Sequence, residues 1–160
     1  MNNNNTHTRT LIVHHMQRTG GMFYKSNPVA KVEIPLGTVE HACEQPALSF
    51  AYKCTQNIGG SWSRDDIADN PDSRPECTRI GDLEVHNGEV YGLRSSMVGD
   101  VIELIDVIYG ETKRFFYQVA GVGFNVVTPE SLHAAYYRFT PYNDDDGQSP
   151  WEYLIASLEK

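Results

Sequence analysis

Long hydrophobic runs are missing from this 160-residue chain, and nothing in it approaches the ~20 consecutive apolar residues that a membrane-spanning helix needs. Cysteine is scarce and odd in number, with Cys43, Cys54 and Cys77 and no Cys-x-x-Cys pair. That count points away from a disulfide framework and from a structural zinc site, and towards reduced thiols. The complete catalytic signatures are missing too: no Gly-x-Ser-x-Gly elbow, no phosphate loop and no His-Glu-x-x-His. Gly121-Val122-Gly123 lacks the third glycine and the following helix start of a dinucleotide fingerprint. Positive charge is short as well, with 13 Lys and Arg against 21 Asp and Glu and a formal net charge of -8. So acidic a surface repels phosphate, which disfavours direct nucleic-acid binding and suits either plain solubility or a basic protein partner. The opening Met1-Asn2-Asn3-Asn4-Asn5-Thr6-His7 has no apolar core of a signal peptide, so a soluble cytoplasmic protein is expected.

What is present is the make-up of an ordinary folded domain, 40% hydrophobic and 21% charged, long enough for one core. Residues 1–8 are expected to be flexible and residues 9–160 to form a single α+β domain. Its mainly antiparallel sheet should carry helices packed on one face. Thr10–Met16 has the β-branched content of a strand, and Pro28–Pro35 alternates apolar with polar in its second half, a half-exposed strand ended by Pro35. Thr38 can cap a helix, Pro46 should kink it or start a second one, and Ala47, Leu48, Phe50, Ala51 and Cys54 make a buried stripe. Residues 61–82 read as the longest loop. Beyond it, Asn87-Gly88 is a two-residue hairpin turn, and strands are expected over 101–108, 114–119 and 123–127. Thr128-Pro129 and Ser149-Pro150-Trp151-Glu152 are helix starts, predicting C-terminal helices over 129–139 and 150–159.

The richest stretch is Arg94-Ser95-Ser96-Met97-Val98-Gly99-Asp100-Val101-Ile102, where a tight glycine–aspartate entry leads into a strand. Glycine permits a positive φ there, and aspartate can accept from the turn amides. The functional alternative has Arg94, Ser95 and Ser96 display donors to an anionic ligand or a partner. Gln56 and Asn57 sit where a helix should end, with Trp62 shortly after. They read as a helix cap covered by an indole or, alternatively, as a recognition patch. Two acidic groups, Asp65, Asp66 and Asp69 in the long loop and Asp144, Asp145 and Asp146 near the C-terminus, are candidates for an acidic interaction surface. Left-over aromatics from Phe115-Phe116-Tyr117 and Tyr136-Tyr137 could add an apolar patch beside them.

No metal and no cofactor is expected. His14, His15, His41, Cys43 and His86 lack zinc-like spacing. A calcium loop placing Gly147 at its glycine would begin and end on tyrosines, where carboxylates are required. Asp72 with Glu111-Thr112-Lys113 superficially matches a metal-dependent nuclease, although both carboxylates fall in turns or loops.

The order of Ser49–Ile58, Ser61-Trp62, Arg94–Leu104, Tyr117 and Gly123-Phe124 resembles a loosely defined group of small uncharacterised proteins carried by phages, plasmids and other mobile elements. The likeness covers residues 48–127, and its most specific part is the Ser-x-Val-Gly-Asp-Val core, here Ser96–Val101. The chain departs from the pattern at Ser96-Met97, where the serine comes one place early. The resemblance implies a context and no activity: an accessory protein acting in a host cytoplasm. Three readings follow. The first is a non-enzymatic protein that binds a host or element-encoded protein, with inhibition of a nucleic-acid-handling or defence protein as its purpose. The second is a small β-domain holding an anionic ligand or nucleic-acid end, and the third is the nuclease.

Overall fold

The computed structural model describes residues 8–19, 23–132, 137–139 and 142. The expected helix over 150–159, Asp144–Asp146 and all but the last of residues 1–8 lie outside them. Strand β1 (Arg9–Thr19) pairs antiparallel with β2 (Phe23–Ile34). Both are longer than the sequence pattern indicates, because Pro28 does not end the ladder. Val13 faces Ala30 and His14 faces Pro28, so Val29 is the extra residue of a bulge. A bulge is one of the few places in a sheet where a proline's missing N–H costs nothing.

Thr38 caps α1 (Val39–Ala42) by accepting from the His41 amide at 3.1 Å. Cys43 then breaks the helix in extended geometry, and α2 (Glu44–Cys54) follows. Pro46 falls in the first turn of α2, where an amide has no intrahelical partner to lose. Ala47, Leu48, Ala51 and Cys54 form its buried stripe.

Residues 61–82 are mostly loop and turn, with one short strand at their end. Strand β3 (Cys77–Arg79) pairs with Ala30, Lys31 and Val32 on the edge of β2. Strands β4 (Glu84–His86) and β5 (Glu89–Tyr91) form a separate two-stranded sheet. The turn between them puts Asn87 at φ 52° and Gly88 at φ 81°, as a type I′ turn requires. Strands β6 (Val101–Ile108), β7 (Glu111–Val119) and β8 (Phe124–Val127) make an antiparallel meander. Of the helix expected over 129–139, Pro129–Leu132 are helical as α3, and residues 133–136 lie outside the described residues. Tyr137–Arg138 instead form β9, parallel to Tyr24-Lys25 of β2. Ladder bonds to an open sheet edge override the helical spacing that Thr128-Pro129 begins.

The main sheet runs β3-β2-β1-β6-β7-β8, with β9 also on β2. Its fold class is α+β, and the sheet is mainly antiparallel. One face carries α2 and the main core, including Leu11, Val13, Leu48, Ala51, Ile102, Leu104, Tyr117 and Trp62. The other face holds a smaller cluster of Val101, Phe116, Leu132 and Phe139. In that second layer Glu103 is fully buried, bonded to His14 Nε2 at 2.9 Å, to the Arg114 guanidinium and to the Tyr142 amide at 3.2 Å. Residues on β6 alternate between these layers, as a strand covered on both sides must. Among the described residues no helix is long and apolar enough to cross a membrane.

Candidate functional site

At the C-terminal end of α2 the helix runs out at Cys54, and the next three residues turn back across the segment that precedes β6. Thr55 Oγ1 meets Ser96 Oγ at 2.7 Å, and the Ser96 amide donates to the Thr55 carbonyl at 3.0 Å. Gln56 Nε2 donates to the carbonyls of Tyr52 at 3.1 Å and Ser96 at 3.0 Å. Asn57 donates from Nδ2 to the Leu93 carbonyl at 3.0 Å and from its amide to Ser95 Oγ at 2.9 Å. Its Oδ1 accepts from the Trp62 amide at 3.0 Å. The Trp62 indole N–H donates to the Arg94 carbonyl at 3.0 Å. Folding thus draws Gln56, Asn57, Trp62, Arg94, Ser95 and Ser96 into one network.

The centre of that network is Asp100, only 1% exposed. Its carboxylate takes two guanidinium bonds from Arg94, each at 2.7 Å, and accepts from the amides of Met97 and Met16, each at 2.9 Å. Gly99, at φ 97°, turns the chain so that this is possible. The bidentate pair matches the Arg94 charge and fills the aspartate's lone pairs. What remains is a polar corner whose members serve one another.

Ser96 Oγ also lies 3.3 Å from His15 Nε2, which resembles a nucleophile beside a base. The surroundings do not suit that chemistry. Ser96 and His15 are both buried, and the Asp100 oxygens are held by Arg94, Met16 and Met97. Burial lowers the His15 pKa to about 4, against the pull of Asp100 and with help from Arg94 and His14. An imidazole so reluctant to hold a proton is a weak general base.

Sequence reasoning missed His15, Thr55 and the Asp100 pairing with Arg94 as parts of this network. The pairing had a signal, a cation and an anion bracketing a glycine turn. The contact of Thr55 with Ser96 spans forty-one positions and had none.

The acidic candidates are elsewhere. Asp66 forms a two-bond pair with Arg64, both contacts at 2.7 Å, and Asp65 lies 3.3 Å from Arg79. Asp69 sits exposed at φ 55°. Arg64 also donates to the Val90 carbonyl at 2.7 Å, tying this loop to the β4–β5 hairpin. Asp72 accepts from the amides of Ile58 at 2.7 Å, Gly59 at 3.1 Å and Gly60 at 2.8 Å. Burial works to raise its pKa, but the three amides prevail and hold it below the usual range. Its oxygens are therefore engaged by the 58–60 segment, whereas Glu111 and Lys113 pair with Ile108 and Asp106 at the end of β6. No cluster of three or more His, Cys, Asp and Glu side chains that could hold a metal is found among the described residues. A metal shared by these residues does not fit.

The β4–β5 hairpin is the other notable region. Every residue of both strands is exposed, including Val85 at 61%, Val90 at 43% and Tyr91 at 45%. Its base is held by the Leu93 amide donating to Ser63 Oγ at 2.7 Å and by the close approach of Gly92. A Cβ on Gly92 would come within 2.0 Å of Ser61 Oγ. Beside that base lies a polar pocket of about 200 Å³ lined by His15, Gln17, Asn27, Asn57, Glu84 and Arg94 among others. Compared with family models, curated proteins and solved structures, the chain finds no match.

Proposed function

We propose that this is a non-enzymatic binding protein that docks a basic protein partner through the β4–β5 hairpin and the acidic loop beneath it. The observation that carries the reading is the hairpin itself. It leaves Val85, Val90 and Tyr91 in water and forms a two-stranded sheet separate from the main one. An isolated two-stranded hairpin is marginal in water, and a fully exposed one gains little from keeping apolar side chains. A partner that covers them supplies the missing burial. Charge complements the apolar surface: the loop and hairpin segments 61–91 carry Asp65, Asp66, Asp69, Asp72, Glu76, Asp82, Glu84 and Glu89 against Arg64, Arg74 and Arg79. The pocket at the base suits a lysine or arginine side chain, since the Glu84 carboxylate and the side-chain amide oxygens of Gln17 and Asn27 can accept, and Arg94 is already matched by Asp100.

In the setting that the family resemblance implies, the partner is a host protein with a basic cleft, of the kind that handles nucleic acid or defends against it. The chain presents negative charge where that protein would hold phosphate. The anionic-ligand alternative is weaker, because its cation, Arg94, sits in a bidentate pair with Asp100.

The test compares host-lysate capture by the natural chain and by a Val85→Ser, Tyr91→Ser double variant. The reading expects a basic protein that elutes with salt and is lost from the variant, Tyr91 alone being worth about 2 kcal/mol, or ~30-fold in Kd. A captured set that is the same for both chains and indifferent to salt would defeat it.

A further inference from the structure

The order of the main sheet ends at β8, and the outer edge of that strand is open. Val119 of β7 donates to the Asp100 carbonyl at 2.8 Å and accepts from the Gly99 amide at 2.9 Å, so its main-chain groups are spent towards β6. Main-chain groups alternate sides along a strand, so those of Gln118 and Phe116 face β8, where Asn125 and Val127 meet them. The N–H and C=O of Phe124 and Val126 therefore point away from β7. Among the described residues no strand lies beyond them. Natural edges are blunted by charge, proline or a bulge, and Phe124-Asn125-Val126-Val127 has none of these. The Val126 side chain is 74% exposed beside that edge.

Phe124 also lines a cavity of about 260 Å³, together with Ser49, Tyr52, Lys53, Val119 and Gly121 among others. The Tyr52 and Phe124 rings stand edge to face in its wall, their centroids 6.4 Å apart. Gly123, at φ 69°, folds the loop back so that the Ala120 amide donates to its carbonyl at 3.0 Å. The amides of residues 121–123 have no acceptor among the described residues, and Lys53 has no ion pair there. No carboxylate lines this cavity. Those at the corner, beside the hairpin and beside Arg9 contain Asp100, Glu84 and Asp106. On a chain of net charge -8, Lys53 marks a local place for an anion.

We propose that β8 and this cavity take the C-terminal segment of another protein. The segment adds to the open edge as an extended strand and bonds to the main chain of Phe124 and Val126. The cavity lies at the start of β8, so a strand that ends there runs antiparallel to it. Its terminal carboxylate meets Lys53 and the amides of residues 121–123, and its last apolar side chain rests on Phe124 and Val119. A second copy of β8 fits the site less well, because residues 119–129 contain no carboxylate to bring to Lys53. The proposal does not depend on what the hairpin binds.

The experiment titrates the full chain into the peptide Thr-Val-Thr-Val-Thr-Val, labelled with fluorescein at its N-terminus and carrying either a free or an amidated C-terminus. Fluorescence polarisation should show the free acid binding about tenfold more tightly than the amide. Lys53→Met should bring the acid down to the level of the amide and leave the amide unchanged. Val126→Pro removes one outward N–H while keeping the bonds to β7, and should weaken both peptides. At saturation the amide resonances that move should be those of Lys53 and residues 121–126. If Val126→Pro does not fold, the acid and amide pair and Lys53→Met decide without it. Equal affinity for acid and amide, an acid preference that survives Lys53→Met, undiminished binding by folded Val126→Pro, or shifts confined to other parts of the chain would each overturn the proposal. So would the failure of both peptides to bind, whether the chain is monomeric or self-associates through β8.

Discussion

The corner around Asp100 and the β4–β5 hairpin lie side by side and share the Leu93–Arg94 junction, yet they are built on opposite principles. In the corner a carboxylate, a guanidinium, two amides and three hydroxyls are drawn together, and each has a partner within the chain. In the hairpin, side chains of mixed character stand in solvent with few ties. The comparison teaches that a dense set of polar, functional-looking residues is a poor guide to function when its members satisfy one another. Such a network specifies the fold. The residues free to act are those whose apolar area and charge the fold has left uncovered.

The sharpest way to break this contrast is to remove Arg94. Arg94→Ala leaves Asp100 buried without its cation and should cost about 3–5 kcal/mol, read as a lowered urea midpoint. A loss under about 1 kcal/mol would mean that the pair does not hold the corner.

The next effect is pH-dependent. His15 has a folded pKa of about 4 against 6.5 when unfolded, so the unfolded chain takes up the proton first. The stabilisation from a neutral His15 is complete above pH 6.5 and fades as the pH falls towards 4. Wild type should lose roughly 3 kcal/mol over that window, and His15→Gln should flatten the slope. An unchanged slope in the variant would place the titration elsewhere.

A smaller change follows Asn57→Ala, which leaves the Leu93 carbonyl and the Trp62 amide without their partner. It should cost about 1–2 kcal/mol in thermal unfolding. At the bottom of the scale, Val85→Ser and Val90→Ser in the hairpin should each shift stability by less than about 0.5 kcal/mol. If they cost as much as Asn57→Ala, the hairpin belongs to the core and the contrast fails.

Much of the architecture was legible where chemistry is local. Thr38 as a cap, Asn87-Gly88 as a turn and the apolar strands over 101–108 and 114–119 each rest on neighbours within a few positions. Strand β3 was not legible, because three residues carry no periodicity and pair only because the edge of β2 is open. The expected strand began at Pro28, and the residues before it, Phe23–Asn27, were not legible as the start of β2 because nothing local marks the bulge at Val29 that carries the ladder past the proline. Tyr137 and Arg138 read as helix from their spacing, and edge pairing drew them into β9. At the corner, Gln56, Asn57 and residues 94–96 were singled out, but their junction depends on α2 lying across β1 and β6, which no local pattern encodes. The exposure of Val85, Val90 and Tyr91 was hidden for a similar reason: alternation marks a strand without saying whether anything covers it.

The division between corner and hairpin is tested most directly by amide hydrogen exchange on the full chain, alone and with the basic partner that it captures. The account predicts that the amides of Ser96, Met97, Asp100 and Asn57 are slow in both states. Those of residues 84–91 and 64–69 should be fast in the free chain and slow in the complex. New protection at the corner, with the hairpin exchanging as freely as before, would contradict it.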